Sequence, residues 1–262
     1  MATFTWTRRV AVCLSLAALS QAAMADALQD ITKRGAVRVG VFLDYPPFGS
    51  LSPSLKKQGY DIELAEIIAK GLGVKADLVQ ITGDNRIPML TSKKVDILMS
   101  VGKNAEREKV IDFAQAYAPY YLAVFGGKTT GVKNSADLAG KTLAVTRGTL
   151  EDTAISKEAP AAANIKRFDE PNGAITAFVT GQVALLVVGN DVGANIMQKY
   201  PKVSMEQKYQ LFSSPSHVAV GKGETALKNK VDAILTKAKT DGSLNSISVK
   251  WLKAPLPKDL KD

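Results

Sequence analysis

The chain has 262 residues, with 34 lysines and arginines against 25 aspartates and glutamates, one cysteine and one histidine. The single cysteine, Cys13, excludes disulfides, and a metal site built on one histidine, His217, is not credible. The lysines are scattered with little aromatic interleaving, which argues against nucleic acid as a partner. The formal charge of +9 is compatible with a small anionic ligand. We expect no metal and no cofactor.

Residues 1–25 are predicted to be a cleaved export signal. Arg8 and Arg9 form a basic start, residues 10–18 are almost entirely apolar, and Ala23-Met24-Ala25 matches an A-x-A cleavage site. The apolar run is too short to span a membrane. The rest of the chain holds no cysteine and is long enough for two lobes of about 100–150 residues each. We expect this mature part in the periplasm.

The first half of the mature part is predicted to alternate strands and helices. In chain order the patterns indicate a strand at 37–41, a helix at 61–70, a strand at 74–78, a helix at 87–92 and a buried strand at 95–99. This βαβαβ order predicts a parallel sheet. After the first strand, Pro46 and Pro47 fix an extended loop that carries Tyr45 and Phe48. Stacking on a ligand and packing under the loop are both open uses for these two rings.

The buried strand at 95–99 leads into a stretch suited to a carboxylate. The small residues Ser100 and Gly102 follow it, Asn104 is a predicted N-cap, and Arg107 lies one helical turn later. Ligands of α/β sheets bind at the carboxyl ends of strands, and arginine pairs well with carboxylates. From this stretch alone, a carboxylate site and a plain strand, turn and solvated arginine are equally good interpretations.

A second α/β unit is predicted after a boundary near Gly126. Its patterns indicate a strand at 142–146, a helix opened by Arg147-Gly148-Thr149, a strand at 166–168, a helix at 173–180 and a buried strand at 183–188. That last strand also ends in small polar residues, Gly189-Asn190-Asp191. A strand at 217–221 and two helices, around 227–238 and 247–251, complete the chain. Each half therefore has a strand end of the kind that binds ligands.

A series of short motifs runs through nearly the whole mature part. In order they are Val39-Gly40-Val41, Tyr45-Pro46-Pro47-Phe48, Gly59-Tyr60-Asp61-Ile62-Glu63-Leu64-Ala65, Lys94-Val95-Asp96, Glu106-Arg107, Ile111-Asp112-Phe113, Leu138-Ala139-Gly140-Lys141, Gly148-Thr149, Gly181-Gln182-Val183, Asp241-Gly242-Ser243-Leu244 and Lys250-Trp251. Together they resemble the family 3 solute-binding proteins, the periplasmic receptors of polar amino acid ABC transporters. Each motif alone is weak, and the order makes the resemblance specific.

The resemblance implies an α/β, two-lobe periplasmic binding protein of type II, each lobe a mostly parallel sheet flanked by helices. Two hinge crossings would fall near residues 122–125 and 218–221. Lobe 1 would comprise residues 28–122 and 221–262, and lobe 2 residues 126–216. It also implies a monomer that closes on a small carboxylate ligand, such as an amino acid, and delivers it to an inner-membrane ABC permease.

Several site residues follow from the resemblance, position by position. Arg107 matches the family's arginine for the ligand's α-carboxylate, where a planar fork suits bidentate pairing. Ser100, Gly102 and Thr149 match the hydrogen-bonding positions around that carboxylate. Tyr45 matches an aromatic wall.

The end of the second-lobe strand departs from the family pattern. The family usually has an aspartate there, paired with the ligand's ammonium group, and this chain has Gly189. Asp191, beside Asn190, is the nearest acid. Either Asp191 substitutes, or the loop rearranges, or the ligand lacks an α-ammonium, since an unpaired cation in a closed cleft costs several kcal/mol. Asn190 and Asp191 are accordingly candidate ligand contacts.

Two further arginines are candidates for the cleft. Arg86 resembles the arginine of the glutamate/aspartate-binding branch, which meets the side-chain carboxylate of the ligand. Arg147 precedes Gly148-Thr149. Together with Arg107 they would suit a ligand with two negative groups. A surface salt bridge is the equally weighted alternative for Arg86 and for Arg147.

The function predicted from the sequence is a non-enzymatic receptor for an acidic or polar amino acid, or a related carboxylate, that serves an ABC importer. One alternative is an exported cyclohexadienyl-dehydratase-like enzyme of the same fold. For that reaction Glu151, Asp191 and His217 are the acids or bases near the cleft, but they form no constellation at useful spacing. The other alternative is a ligand-sensing receptor component.

Overall fold

The structure is a computed structural model that describes residues 26–257 and residue 260. The predicted export signal at residues 1–25 lies outside the described part. Two five-stranded sheets organise the rest of the chain, with one small three-stranded sheet formed by β2 (Asp44–Tyr45), β3 (Gly49–Leu51) and β4 (Lys57–Gln58). Within residues 26–257, no helix is both long and apolar enough to cross a membrane.

The first sheet is built mainly from the first half of the chain. Its strands, in spatial order, are β5 (Lys75–Gln80), β1 (Ala36–Val41), β6 (Ile97–Val101), β13 (Ser216–Gly221) and β7 (Ile111–Ala118). The flanking helices are α1 (Ala27–Arg34), α2 (Tyr60–Leu72), α3 (Arg86–Thr91), α4 (Ala105–Glu108), α8 (Thr225–Thr240) and α9 (Ser243–Leu252). The elements predicted in this half are present, with ends displaced by one or two residues.

The second sheet holds the middle of the chain. Its strands, in spatial order, are β10 (Asn164–Phe168), β9 (Thr142–Thr146), β11 (Leu185–Gly189), β8 (Tyr121–Gly127) and β12 (Met205–Ser213). The helices are α5 (Leu150–Glu158), α6 (Pro171–Val179) and α7 (Asn190–Lys199), with 3-10 turns at Ser135–Leu138 and Pro201–Val203. Below, lobe 1 and lobe 2 denote the elements of the first and second sheets.

Both sheets are mixed: in each, four of the five strands run in one direction, as expected of a mostly parallel sheet, and one strand runs against them. Strand β13 is antiparallel to β6 and β7, and β8 is antiparallel to β11 and β12. The remaining pairings, β1 with β5 and β6 and β9 with β10 and β11, are parallel. The strands β8 and β13 are the two that enter a sheet directly from the other lobe. No helical crossover precedes them within their new sheet, so nothing imposes a parallel orientation.

The chain crosses between the sheets at residues 119–120 and 214–215. The crossings expected near 122–125 and 218–221 instead lie inside β8 and β13. Those residues are almost fully buried because both strands occupy interior positions of their sheets. The crossings that the resemblance implied therefore lie two to seven residues before the expected positions.

Candidate functional site

A cavity of about 30 Å³ lies between the two lobes, at the carboxyl ends of β1, β6 and β9. Six of the nine predicted site residues line it: Tyr45, Arg86, Ser100, Gly102, Arg107 and Thr149. The other lining residues are Phe42, Tyr120, Thr146, Leu150, Glu151, Pro171 and Ser216.

The guanidinium of Arg107 enters the cavity from lobe 1. The side chain of Asn104 accepts a hydrogen bond from the Arg107 amide at 2.8 Å and caps α4, as predicted. Nη1 donates to the Gly102 carbonyl at 2.9 Å, and Nη2 donates across the cleft to the Gly148 carbonyl at 3.3 Å. Burial, and then the nearby charge of Arg86, lower the pKa of Arg107 to about 9.

Arg86, the first residue of α3, is only 3% exposed, which excludes the surface salt bridge considered for it. Its Nη1 donates to the Ser100 carbonyl at 3.1 Å and its Nη2 approaches the Gly148 carbonyl at 3.5 Å. The guanidinium lies 5.6 Å from the centroid of the Phe42 ring. Its Nε is buried without a hydrogen-bond partner among the described residues. Burial lowers the pKa of Arg86.

The two guanidiniums therefore meet at one carbonyl oxygen, that of Gly148 in lobe 2. In the described part of the chain, neither forms an ion pair with a carboxylate. Buried cations normally need such a partner, because removing a charge from water costs several kcal/mol. The site thus holds two desolvated positive charges that can each accept an anionic group.

Ser100 is held in a left-handed conformation, with φ of +53°, by a buried network behind the cavity. Its Oγ donates to Asp61 Oδ2 at 2.6 Å and its amide donates to the Tyr117 hydroxyl at 2.7 Å. That hydroxyl donates to Asp61 Oδ1 at 2.7 Å. Burial raises the pKa of Asp61 to about 7, although the hydrogen bonds that the Ser100 and Tyr117 hydroxyls donate to its carboxylate oppose the rise. The Ser100 hydroxyl therefore donates its hydrogen bond to Asp61, and the Ser100 carbonyl accepts one from Arg86.

Thr149 and Gly102 bring the lobes together at the opposite end of the cavity. Thr149 is the N-cap of α5, and its Oγ1 accepts from the Asp152 amide at 3.2 Å. The first turn of α5, at Leu150 and Glu151, lines the cavity. A Cβ added at Gly102 would lie 2.4 Å from Leu150 Cδ1, so only glycine permits this approach.

Two tyrosines and a glutamate form the wall of the cavity. The hydroxyls of Tyr45 and Tyr120 are 2.6 Å apart, and that of Tyr120 donates to Glu151 Oε1 at 2.6 Å. The Tyr45 hydroxyl lies 3.4 Å from the same oxygen. Burial, and then the charge of Glu151, raise the pKa of both tyrosines. Phe48 instead packs under the loop, stacked against Tyr45 with ring centroids 6.2 Å apart.

Arg147, Asn190 and Asp191, predicted as ligand contacts, do not line the cavity. The guanidinium of Arg147 is about half exposed and pairs with Asp169 at 3.0 Å, as in the surface alternative. The Asn190 side chain accepts from the Tyr121 amide at 3.0 Å. Helix α7 begins at Asn190, so the chain after β11 winds into a helix rather than extending into the cleft.

Asp191 lies in the first turn of α7, largely buried, and its Oδ2 has no hydrogen-bond partner among the described residues. Burial raises its pKa to about 6. His217 is buried in β13, edge-on to the Phe113 ring at a centroid distance of 5.8 Å, and also does not line the cavity. Of the three acids or bases considered for an enzymatic reaction, only Glu151 does so.

Tyr120 and Glu151 were not among the predicted site residues. Glu151 had a usable signal, because it lies in the first turn of a helix that was predicted to open at the end of a strand. Tyr120 had none. It lies in the first crossing between the sheets, and that crossing was expected a few residues later.

Residues 37–254 match the family of bacterial extracellular solute-binding proteins, family 3. The ABC transporter glutamine-binding protein GlnH of Bacillus subtilis (strain 168) is 31% identical over 240 residues, which cover 87% of this chain and 85% of that protein. That relative is named as a glutamine-binding component of an ABC transporter.

Solved structures agree with this relationship. The cysteine-binding protein from Campylobacter jejuni superposes with a TM-score of 0.82 at 29% identity, covering 90% of this chain and 96% of that one. The ancestral amino acid-binding protein AncCDT-1, a precursor of cyclohexadienyl dehydratase, has a TM-score of 0.79 at 32% identity, covering 86% and 99%. The two-lobe fold of type II is therefore shared, and the chain belongs to family 3 of the bacterial extracellular solute-binding proteins.

Proposed function

We propose that this chain is the periplasmic substrate-binding component of an ABC importer. It is exported, loses residues 1–25, and acts as a monomer. It captures an acidic or polar amino acid, or a related carboxylate, between its lobes and delivers it to an inner-membrane permease. Relatives named for glutamine and cysteine support a polar amino acid as the ligand, and other relatives are named for arginine.

The observation that supports a negatively charged ligand is the pair of desolvated guanidiniums, those of Arg86 and Arg107, which meet at the Gly148 carbonyl. Arg107 would hold the α-carboxylate, with Ser100, Gly102 and Thr149 around it, and Tyr45 would form a wall. Arg86 would hold a second negative group. Charge-assisted pairs of this kind are about twice as strong as neutral hydrogen bonds.

Ligand entry requires the lobes to separate, because the lobes are in contact across the cleft: Arg107 donates to the Gly148 carbonyl, and Leu150 packs closely on Gly102. The motion we propose is a hinge rotation at the two crossings, residues 119–120 and 214–215. Closure would then bring the Gly148 carbonyl back to the guanidiniums once a ligand is seated.

A thermal-shift screen of the mature chain tests this proposal, because a ligand that binds only the folded form raises the melting temperature. The panel comprises the twenty L-amino acids, C4 and C5 dicarboxylates and 2-oxo acids, each followed by calorimetry. We expect the largest shifts for L-glutamate, L-aspartate or a closely related acid. A panel without any shift, or one led by a cationic amino acid, would contradict the proposal.

A second candidate, a dehydratase acting on a cyclic carboxylate, draws on one observation. Glu151 is a buried acid in the cavity, and a solved neighbour is described as a precursor of cyclohexadienyl dehydratase. Incubation with prephenate and with arogenate separates the two functions. The receptor proposal predicts no product above the uncatalysed rate, and enzyme-dependent product formation would establish the second candidate instead.

A further inference from the structure

Glu151 is the one acidic residue among the cavity-lining residues of the described chain, and it is only 6% exposed. Its Oε1 is engaged by the hydroxyls of Tyr120 and Tyr45, at 2.6 and 3.4 Å. Its Oε2 accepts no hydrogen bond from the described residues. Neither Arg86 nor Arg107 forms an ion pair with it, although the nearby charge of Glu151 opposes the lowering of the pKa of both arginines. A buried carboxylate oxygen thus remains available to a cationic donor.

The end of β11 cannot provide such an oxygen. A Cβ added at Gly189 would lie 2.0 Å from Cζ of Tyr120, so the phenol ring fills the space that a longer side chain would need. The same ring carries the hydroxyl that binds Glu151. The absence of a side chain at Gly189 and the position of Glu151 are therefore linked through Tyr120.

The cavity as a whole has positive and negative groups that match an α-amino acid. Arg107 and Arg86 supply two positive charges, and Glu151 supplies one negative charge. An α-amino acid with an acidic side chain has the complementary set: two carboxylates and one ammonium. A dicarboxylate without an amine would leave Glu151 unpaired in a dry cleft and repelled by the ligand.

We propose that Glu151 binds the α-ammonium group of the ligand, in place of an acid at the end of β11, and that this chain selects α-amino acids over their deamino analogues. Tyr120 and Tyr45 act as positioning residues that hold Oε1, so that Oε2 faces the ligand. This inference rests on the proposed function and names the contact that selects for an amine.

The test uses ligand pairs that differ only in the amine: L-glutamate with glutarate, and L-glutamine with glutaramate. Calorimetry on the mature chain compares wild type, Glu151→Gln and the control Glu158→Gln, which changes an exposed glutamate of the same helix. In wild type, the amine-bearing member of the tighter-binding pair should bind at least about tenfold more tightly than its deamino analogue. In Glu151→Gln its affinity should fall about 10- to 100-fold, as for loss of a charge-assisted contact.

The deamino member should bind Glu151→Gln as well as, or better than, wild type, and Glu158→Gln should match wild type for all four ligands. Equal losses for both members of a pair, or no loss at all, would overturn the assignment. If Glu151→Gln fails to fold, the wild-type affinities alone test the proposal. Equal affinities for the two members of a pair would contradict selection for an amine. Failure of the proposed function is a different result, in which no carboxylate binds wild type.

Discussion

Arg107 is the residue on which we expect binding to depend most, because the resemblance assigns it the ligand's α-carboxylate and it is buried without a carboxylate partner among the described residues. We predict that Arg107→Ala weakens the tightest carboxylate ligand by about 30-fold or more, since losing one partner of a buried charge pair costs about 2–5 kcal/mol. The ligand-free variant should melt within a few degrees of wild type. Calorimetry and thermal melting measure the two quantities.

Arg147→Ala is the matched control for that variant. Its guanidinium is about half exposed and pairs with Asp169 and Asp84, at 3.0 and 3.7 Å. A surface pair is worth about 0–1 kcal/mol, so affinity should change by no more than about fivefold. A loss at Arg147 as large as that at Arg107 would contradict the placement of the site.

Arg86 is expected to recognise the second charge of the ligand. We predict that Arg86→Ala weakens L-glutamate at least about tenfold more than L-glutamine, because only the acidic side chain loses a charge-assisted pair. The two affinities are compared by calorimetry in wild type and variant. Equal losses for the acidic and the neutral ligand would show that Arg86 does not distinguish ligands by charge.

Asp61 should make stability depend on pH. Its pKa is raised from 3.8 to about 7 in the folded protein, chiefly by burial. The folded state therefore binds a proton more tightly than the unfolded state does. The contribution of Asp61 to stability is full below pH 4 and is lost as the pH rises through 7.

We predict that the free energy of unfolding of wild type, relative to Asp61→Asn, falls by about 3–4 kcal/mol between pH 4 and pH 8. Urea unfolding at several pH values measures both proteins. Asp191, with a pKa of about 6, changes stability in the same direction, but it is present in both proteins and cancels. Parallel pH profiles would show that Asp61 is not the group responsible.

At the scale of elements, two loops approach each other closely between the lobes. A Cβ added at Gly83, between β5 and α3, would lie 2.0 Å from the Arg147 carbonyl oxygen, between β9 and α5. We predict that Gly83→Ala lowers ligand affinity about tenfold or more, because the lobes can no longer close fully. The ligand-free melting temperature should be nearly unchanged.

Gly131→Ala is the control for this loop, since no heavy atom lies within 4 Å of its Cβ position. Calorimetry measures affinity, and small-angle scattering measures compaction on adding ligand. Wild-type affinity and compaction in Gly83→Ala would contradict the importance of this contact for closure.

Local signals predicted most elements well, and their failures have physical reasons. The N-cap Asn104 and the helix start at Thr149 were predicted because a cap depends on neighbouring residues. The helix predicted at 61–70 continues through Gly71 to Leu72, and Gly73, with φ of +76°, ends it. A Cβ added at Gly71 would lie 2.6 Å from Ile234 Cγ1, so Gly71 serves packing against α8 instead.

At the scale of the whole molecule, long-range contacts limited the prediction of the site. Arg107, Ser100 and Gly102 could be predicted because they follow one strand closely. The contact of Glu151 with Tyr120 joins residues 31 apart, and its contact with Tyr45 joins residues 106 apart. Both depend on how the first crossing orients one lobe on the other, which no local pattern encodes. The crossings were predicted too late in the chain for a related reason: β8 and β13, which the prediction treated as crossings, are buried strands that enter their sheets from the other lobe.

The central claim is that the two lobes close on a small carboxylate held by Arg107 and Arg86. A crystal structure of the mature chain with the tightest ligand from the screen tests it most directly. We predict ligand carboxylate oxygens within hydrogen-bond distance of the Arg107 guanidinium, and a second acidic group at Arg86. A ligand bound elsewhere, or one in the cleft that contacts neither arginine, would contradict the account.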